Sequence, residues 1–490
     1  MSDHVKPEFF DTNIIVIGAG SGGLISALIA AAVKARVTLI EKHKMGGDCL
    51  NTGCVPSKAL IKTARFLSDV KNSKKYGIKS ASADFDFSDV MERVQAVIKK
   101  IEPHDSIERF TELGVDCVTG EARLVTPWAV EVNGKTITAR NIILASGGRP
   151  FVPAIEGLDD VNWYNSDNLW ALREQPRRMI VLGGGPIGCE MAQAFNRLGS
   201  ETTLVEMAPR IMIREDEEIS AMVQDKFVSE KMTVLCGTRA VACRRPDGEQ
   251  ILICDQDGTE VQIPFDGLLV AIGRKPNVEG FGLEELGVTL RKNNTVETDE
   301  FLRTNFDNIF AVGDVTGPYQ FTHTAAHQAW FAAVNSLFGD FKKFKADYSV
   351  IPWATFTDPE VARVGLNEAD AKQNNIPYEV TRYGIDDLDR AIADSEDHGV
   401  VKVLTVPGKD KILGVTIVGA HAGDLIAEYV TAMKYKLGLK KILGTIHIYP
   451  TMTEANKMAA GIWQKEHAPQ TILNLLERFH RWRRGKSKEA

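Results

Sequence analysis

One stretch of pattern occurs twice in this chain at a fixed interval, and it leaves little freedom about the fold. Ile14 to Ile17, four β-branched residues, run into Gly18-Ala19-Gly20-Ser21-Gly22-Gly23. An Ala-rich segment of helical character continues to about Lys34, and a second apolar run from Arg36 to Ile40 ends on Glu41. Met179 to Leu182 likewise run into Gly183-Gly184-Gly185-Pro186-Ile187-Gly188, and Glu201 to Val205 end on Glu206. Gly183 lies 165 residues after Gly18, and Glu206 lies 165 after Glu41. A buried strand, a Gly-x-Gly-x-x-Gly turn, a helix and a strand ending in an acid are the parts of a dinucleotide-binding βαβ unit. The first glycine of each set (Gly18, Gly183) makes the tight turn. The second (Gly20, Gly185) lets backbone approach a pyrophosphate, and the third (Gly23, Gly188) lets the helix pack close to the strand. Backbone N–H groups and the helix dipole then receive the phosphates. Glu41 and Glu206 are placed to accept hydrogen bonds from an adenosine ribose. An acid at 206 repels a 2′-phosphate, so the second site is expected to prefer NAD(H) over NADP(H); Arg210 nearby is the opposing charge.

Three further apolar runs end at glycine: Asn141–Ala145 before Ser146-Gly147-Gly148, Leu268–Ile272 before Gly273, and Ile309–Val312 before Gly313-Asp314. Each is read as a strand stopped where backbone approaches something closely, with plain strand-to-loop punctuation as the alternative. Asp314 is the most pointed, since a carboxylate just past a buried strand can accept a polyol hydroxyl. From about Asp347 the pattern changes to an α+β segment without a nucleotide fingerprint. Strands are expected at Pro352–Phe356, Val400–Val406 and Ile412–Val418, with a helix at Leu425–Leu437.

Composition excludes several classes. The 490 residues carry a formal net charge of −7, which gives no global attraction to nucleic acid or to an anionic membrane. Leu24–Val33, the longest apolar run, is too short to span a bilayer. The first residues lack the apolar core of a secretory signal. Seven scattered cysteines do not suggest a secreted disulfide framework, so a cytoplasmic location is expected. Five of them (Cys117, Cys189, Cys236, Cys243, Cys254) have no metal-ligand spacing, and no metal site is expected.

The other two cysteines stand in Gly46-Gly47-Asp48-Cys49-Leu50-Asn51-Thr52-Gly53-Cys54-Val55-Pro56-Ser57-Lys58. They lie five residues apart at the expected start of a helix. A positive helix end and Lys58, one turn past Cys54, are expected to lower a thiol pKa. The alternative is a pair of buried structural cysteines. Two dinucleotides and a thiol pair in one chain suggest a relay, with the flavin in the first site beside the thiols.

These motifs resemble the pyridine nucleotide–disulfide oxidoreductases, which include dihydrolipoamide dehydrogenase, glutathione reductase and mercuric reductase. The resemblance runs from about Asn13 to Gln464 through GAGSGG, GGDCLNTGCVPSK, GGGPIGCE, AIGRKPN, FAVGD and YPTMTE in order. It implies an α/β fold with two Rossmann-like domains and a C-terminal α+β dimerisation domain. The expected boundaries are 1–150 with 275–345 for FAD, 151–274 for NAD(P), 346–466 for the interface, and a tail at 467–490. It implies one tightly bound FAD per subunit and a homodimer with each active site built from both subunits. FAD would be held by Gly18, Gly20, Gly23, Glu41, Gly47, Asp48, Ser146, Gly147, Gly313, Asp314, Phe321, Thr322 and Ala325. NAD would be held by Gly183, Gly185, Gly188, Glu206 and Gly273. Cys54 would be the thiol next to the flavin and Cys49 the thiol that meets substrate, the two forming a redox disulfide. Lys58 would pair with Glu190, and Tyr449 and Glu454 would occupy the acid–base positions. The helix starting near Phe321 would point its N-terminus at the flavin.

Three positions depart from the family pattern. Tyr449 stands where thiol-handling members place a histidine base. The phenol's ordinary pKa is about 10 against about 6.5 for imidazole, so it is expected to be a poor base for a dithiol. His447 matches a residue that accompanies that base, not a replacement for it. Pro186 stands where glutathione reductase has a tyrosine covering the flavin, and Asp48 replaces the usual threonine. The expected function is NAD(H)-linked oxidoreduction of a small disulfide or dithiol, like that of dihydrolipoamide dehydrogenase. The first alternative is a metal-ion reductase resembling mercuric reductase, favoured by Tyr449. A second thiol pair near the C-terminus and an N-terminal metal-binding domain, as that enzyme has, are not expected. The further alternative is a non-catalytic flavin-fold scaffold docked through its tail. In that tail Ile472, Leu475, Leu476, Phe479 and Trp482 fall at helical spacing, and residues 478–490 hold six Lys or Arg against one Glu. This reads either as a helix that lies on an anionic membrane or holds a partner, or as a packed terminal helix with a frayed, solvated end.

Overall fold

A computed structural model describes residues 4–485, which form two compact units. The first takes the described residues up to Ile213 together with Phe227–Tyr348. Its first sheet runs Val115–Thr119, Val37–Glu41, Thr12–Ile17 and Lys135–Leu144 in parallel, with Ile309–Ala311 on the far side of Lys135–Leu144. The second sheet runs Thr233–Leu235, Glu201–Val205, Arg178–Leu182, Gly267–Val270 and Trp163–Tyr164, all parallel. The two sheets repeat one order through four strands, with the glycine turn leaving the C-terminal end of a central strand in each. Ile14, Ile15 and Val16 have no exposed surface, because a parallel sheet is covered on both faces.

The helix Ser21–Ala32 follows the first turn and buries Leu24, Ala27, Ala30 and Ala31 in a cluster with Ala332 and Ala333 of the helix Thr322–Phe338. Small side chains on both helices keep the Thr322 end near the glycine turn. The third glycine of each fingerprint proves tighter than helix packing alone requires. A Cβ on Gly23 would lie 1.8 Å from the Gly18 carbonyl oxygen, and one on Gly188 1.8 Å from that of Gly183.

The second unit holds Arg214–Lys226 and the described residues from Ser349 onward. Its antiparallel sheet has the order Pro352–Thr355, Glu360–Gly365, Ile412–Gly419, Val400–Thr405, Glu379–Gly384. The helices Ala422–Lys434 and Glu454–Glu466 supply the fully buried Tyr429 and Trp463 to its core. The expected helix Leu425–Leu437 thus begins and ends three residues earlier, bounded by left-handed backbone at His421 and Lys436.

Arg214–Lys226, inside the stretch expected to serve NAD(P), belongs to this second unit for an electrostatic reason. Lys402 is 1 % exposed, and its Nζ reaches Asp216 at 2.7 Å, Glu218 at 2.6 Å and Glu368 at 2.6 Å. Glu215 pairs with the buried Arg363 at 3.4 Å and accepts from Trp353 Nε1 at 2.9 Å. The final helix, Gln470–Arg484, buries none of its residues, which overturns the packed-helix reading of the tail; residues 486–490 of that tail lie outside the described residues. Among the described residues no helix is long and apolar enough to cross a membrane.

Lys402→Met removes the cation and leaves three carboxylates facing one another. Breaking a buried pair is strongly destabilising, and Glu218 and Glu368 keep some access to water. The expected loss is therefore about 3 kcal/mol, at the low end of the range for such sites. Urea unfolding followed by circular dichroism measures it, and an unchanged midpoint would refute the electrostatic account.

Candidate active site

The cysteine segment is held against the first glycine turn by backbone. Gly46 N–H donates to the Ala19 carbonyl at 2.9 Å. Gly47 has φ +56°, and a Cβ there would lie 2.6 Å from Gly20 Cα, so a side chain at 47 would push the two loops apart. Asn51 Nδ2 ties the loop to itself through the carbonyls of Met45 and Gly47, both at 2.9 Å. Trp170 Nε1 donates to Thr52 O at 2.8 Å. The chain then breaks helix between the thiols: Cys49 lies in the short helix Gly47–Asn51, and Cys54 opens the helix Cys54–Lys71. The pair expected at the start of a helix is thus divided between two.

At each of the two glycine turns the backbone leaves open space that fits the diphosphate of a dinucleotide. A Cβ on Gly20 would have Gly47 Cα as its nearest neighbour, at 3.9 Å, and one on Gly147, Gly185 or Gly273 would have no atom within 4 Å. Glu41 accepts from the backbone N–H of Ala19 at 2.7 Å and of His43 at 2.8 Å. Glu206 repeats this with Gly184 at 2.5 Å and Ala208 at 2.6 Å. The close approach of Gly18 to the Ala145 carbonyl brings Ser146 and Gly147 to the same turn. Ser146 is fixed by reciprocal hydrogen bonds with Asn277, at 2.8 and 2.9 Å. Gly313 donates to Gln328 Oε1 at 2.6 Å and lies against Ala325 of the helix Thr322–Phe338. Phe321 caps that helix and stacks on His323, with 5.3 Å between ring centroids. Arg210, the charge that opposed the NAD(H) reading, turns to the backbone carbonyls of Met212 and Ile213, at 3.4 and 3.1 Å.

Sequence reasoning gave Asp48 to FAD and named no side chain that pairs with it. In the structure it pairs with Arg274, whose Nε also meets Asp314 Oδ2 at 3.2 Å and whose Nη2 donates to Gly148 O at 2.8 Å. Burial pushes the Asp314 carboxyl up, against the pull of Arg274. Arg274 sits in the AIGRKPN motif that was read only for its glycine; an aspartate in place of threonine at 48 was the available signal for a cationic partner.

Both site cysteines are free, Cys54 exposed and Cys49 half-buried. Cys49 donates to Cys54, and this hydrogen bond is the largest cause that brings Cys54 down to about 6. The Thr322 hydroxyl, 3.5 Å from Cys54 Sγ, and the charge of Lys58 act the same way, while burial and Glu190 oppose them. Cys49 is pushed up, first by its bond to Cys54 and then by burial. The lowering was expected from the helix end and Lys58, but hydrogen bonding is the larger cause. Lys58 Nζ lies 2.8 Å from the buried Glu190, so part of its field is cancelled.

Tyr449 and Glu454 belong to the second unit. The Tyr449 hydroxyl donates to Asp389 Oδ2 at 2.9 Å, and that carboxylate raises the phenol above its ordinary value. Glu454 is buried at the start of the helix Glu454–Glu466, 3.5 Å from the N–H of Thr451. His447 is tied at both ring nitrogens, Nδ1 to Thr445 O at 3.0 Å and Nε2 to Glu428 at 3.0 Å. Its side chain is 5 % exposed, which suits a structural residue. Asp389 and Glu428, which set the behaviour of Tyr449 and His447, carry no motif and were missed.

Comparison with known proteins agrees with this architecture. Residues 12–329 match the pyridine nucleotide-disulphide oxidoreductase model and residues 351–460 match that family's dimerisation domain. The chain is 34% identical over 472 residues to the dihydrolipoyl dehydrogenase of Chlamydia muridarum, covering 95% of this chain and 99% of that one. It is 33% identical over 454 residues to the mercuric reductase of Lysinibacillus sphaericus, covering 93% and 83%. The solved HOCl-induced flavoprotein disulfide reductase RclA of Escherichia coli superposes with a TM-score of 0.82 at 25% identity, covering 92% of this chain and 99% of that one. The chain belongs to the pyridine nucleotide-disulphide oxidoreductase family. It is an FAD-dependent disulfide oxidoreductase that uses NAD(P)H.

A thiol whose folded pKa is depressed is thiolate above that value and loses its charge as pH falls through it. Iodoacetamide alkylation of Cys54 in the dithiol-reduced protein is expected to rise with pH through a midpoint near 6, from an ordinary value of 9.0. Lys58→Met and Thr322→Val should each move that midpoint upward. A midpoint at the ordinary thiol value in the unsubstituted protein would refute the assignment of Cys54 as the activated thiol.

Proposed function

We propose that this chain passes electrons between NAD(H) and a small disulfide or dithiol through Cys49 and Cys54, in the manner of a dihydrolipoyl dehydrogenase. The observation that carries the reading is the contact between the cysteine segment and the first glycine turn at Gly20 and Gly47, with the activated thiol facing Thr322. Residues 1–150 with 275–345 would serve FAD, 151–274 NAD(H), and 346–466 the contact with a second copy. FAD, when bound, accepts two electrons from the reduced nicotinamide and delivers them to the disulfide. Gly18, Gly20, Gly23, Glu41, Gly47, Ser146, Gly147, Gly313 and Asp314 would hold it, with Phe321, Thr322 and Ala325 at the helix end.

The thiol steps balance as follows. Two electrons and one proton convert the Cys49–Cys54 disulfide to a Cys54 thiolate and a Cys49 thiol. Cys49, once its proton is removed, attacks a substrate disulfide and expels one substrate thiolate, leaving a mixed disulfide. Cys54 thiolate then attacks Cys49 sulfur, releases the second substrate thiolate and restores the disulfide. Lys58 stabilises the Cys54 charge, and Glu190 fixes Lys58 at 2.8 Å.

A homodimer is supported by the exposure of Ile446 (94 %) and Ile448 (76 %) within the segment matched to the dimerisation domain. Tyr449 beside them would be offered to the second copy's thiols. The NAD(H) preference rests on Glu206 and on the turn of Arg210 toward backbone carbonyls.

One observation favours a second reading, a metal-ion reductase resembling mercuric reductase. Tyr449 donates to Asp389 and is raised further from neutrality, so it does not serve as the base that a dithiol substrate needs. A thiophilic metal ion taken by the two sulfurs makes no such demand.

Steady-state turnover of lipoamide against Hg(II), each with NADH and NADPH, separates the two readings. NADH is expected to give at least about a tenfold higher kcat/KM than NADPH, the effect of an acid facing a 2′-phosphate. Tyr449→His should raise dihydrolipoamide oxidation by at least about tenfold, part of the roughly hundredfold or more that a positioned base contributes. Cys54→Ser should abolish turnover of every substrate. Turnover of Hg(II) but not lipoamide, with no gain from Tyr449→His, would establish the second reading instead.

A further inference from the structure

We propose that the helix Gln470–Arg484 docks this protein on an anionic lipid bilayer, an inference separate from the redox reading and resting on different residues. The helix has fifteen residues and buries none of them. An isolated helix of that length is marginal in water and is normally sustained by a surface that covers its apolar face. Ile472, Leu475, Leu476, Phe479 and Trp482 follow an i, i+3, i+4, i+7, i+10 course and so share one face. Their exposures run from 44 % at Phe479 to 76 % at Trp482. The Phe479 and Trp482 rings lie 6.1 Å apart, forming an aromatic ledge of the kind that settles at the headgroup level.

Charge selects the occupant. The helix carries Arg478, Arg481, Arg483 and Arg484 against the single acid Glu477, which Arg481 already meets at 2.8 Å. Arg481 and Arg484 fall on the arc opposite the apolar face, and Arg478 lies at its flank beside Trp482. Arg483 lies at the apolar face with its guanidinium over Phe479 at 5.7 Å, a position from which a long side chain can reach headgroup phosphates. A second copy of the same helix would set four arginines against four. The chain as a whole is acidic, with a formal charge of −7, so this helix is a local reversal of sign. A basic face and an aromatic-aliphatic face on one helix of low overall hydrophobicity define an interfacial, non-spanning element.

The test uses the full-length flavoprotein and sucrose-loaded vesicles of phosphatidylcholine alone or mixed with phosphatidylglycerol. At low salt the mixed vesicles should carry down at least about tenfold more protein than the neutral ones, since each cation near an anionic surface contributes about fivefold. Added salt should erase the difference. Phe479→Ser with Trp482→Ser should reduce binding to the mixed vesicles by about tenfold, and NADH-dependent flavin reduction should be unchanged. Arg478→Gln, Arg481→Gln and Arg484→Gln together should remove the preference for phosphatidylglycerol. Two results would overturn the proposal. One is equal or negligible sedimentation with both vesicle types. The other is a Phe479→Ser, Trp482→Ser variant that keeps vesicle binding but changes oligomeric state in sedimentation velocity, which would make the face a contact between copies.

Discussion

The approach of Gly47 to Gly20 is the constraint on which the rest of the site depends. Two backbones meet there without a side chain between them, and the Gly46–Ala19 hydrogen bond fixes their offset. The thiol pair therefore follows directly from the first glycine turn, the one proposed to receive a diphosphate. The chain cannot relax this contact locally, because Gly23 and Gly18 are themselves too close for any other residue. The Ala-rich packing of Ser21–Ala32 on Thr322–Phe338 then sets the far wall, delivering the Thr322 hydroxyl to Cys54. Glycines, small helix-packing residues and one hydroxyl thus fix the distances among turn, thiol and helix end.

Within that frame the activation of Cys54 is local. A lysine one turn away would by itself supply a strong field, but Glu190 is buried against it and opposes the lowering. The largest lowering influence is the hydrogen bond from Cys49, and Thr322 acts in the same direction. A thiolate held chiefly by its partner thiol is specific to the reduced pair: once the two sulfurs are joined, neither donor nor acceptor exists. Arg274 shows the same restraint. Its charge is shared between Asp48 and Asp314, so the polar edge of the site holds two acids and one cation in contact. A threonine at 48 would leave Arg274 to Asp314 alone.

Legibility in the sequence followed the range of the interaction. The repeated βαβ units were readable because strand, turn, helix and acid are contiguous and their chemistry is local. The cysteine segment was readable for the same reason, although the break at Thr52-Gly53 that puts the thiols on separate helices was not. Interactions across long separations left no mark. Nothing in Asp216, Glu218, Glu368 and Lys402 announces that they meet, and so the transfer of Arg214–Lys226 to the second unit could not be foreseen. Asp389 was equally silent, though it sets the character of Tyr449. The tail was legible in periodicity, whereas the absence of any covering surface could be known only from the fold.

Electron and proton handling are therefore separable in this molecule. The groups proposed to move electrons, from the glycine turns to Cys54, lie together in one unit and depart from the family pattern only at Asp48 and Pro186. The groups that would move protons lie in the other unit, and there the departure is chemical: a phenol donating to a carboxylate occupies the position of an imidazole. His447 offers no substitute, since both its ring nitrogens are engaged and its side chain is nearly enclosed. A relay that keeps its electron path while giving up its base suits a substrate whose reduction consumes no thiol proton, or one that arrives already ionised. The substrate is thereby constrained more by the tyrosine than by the cysteines, which serve any substrate of this relay alike.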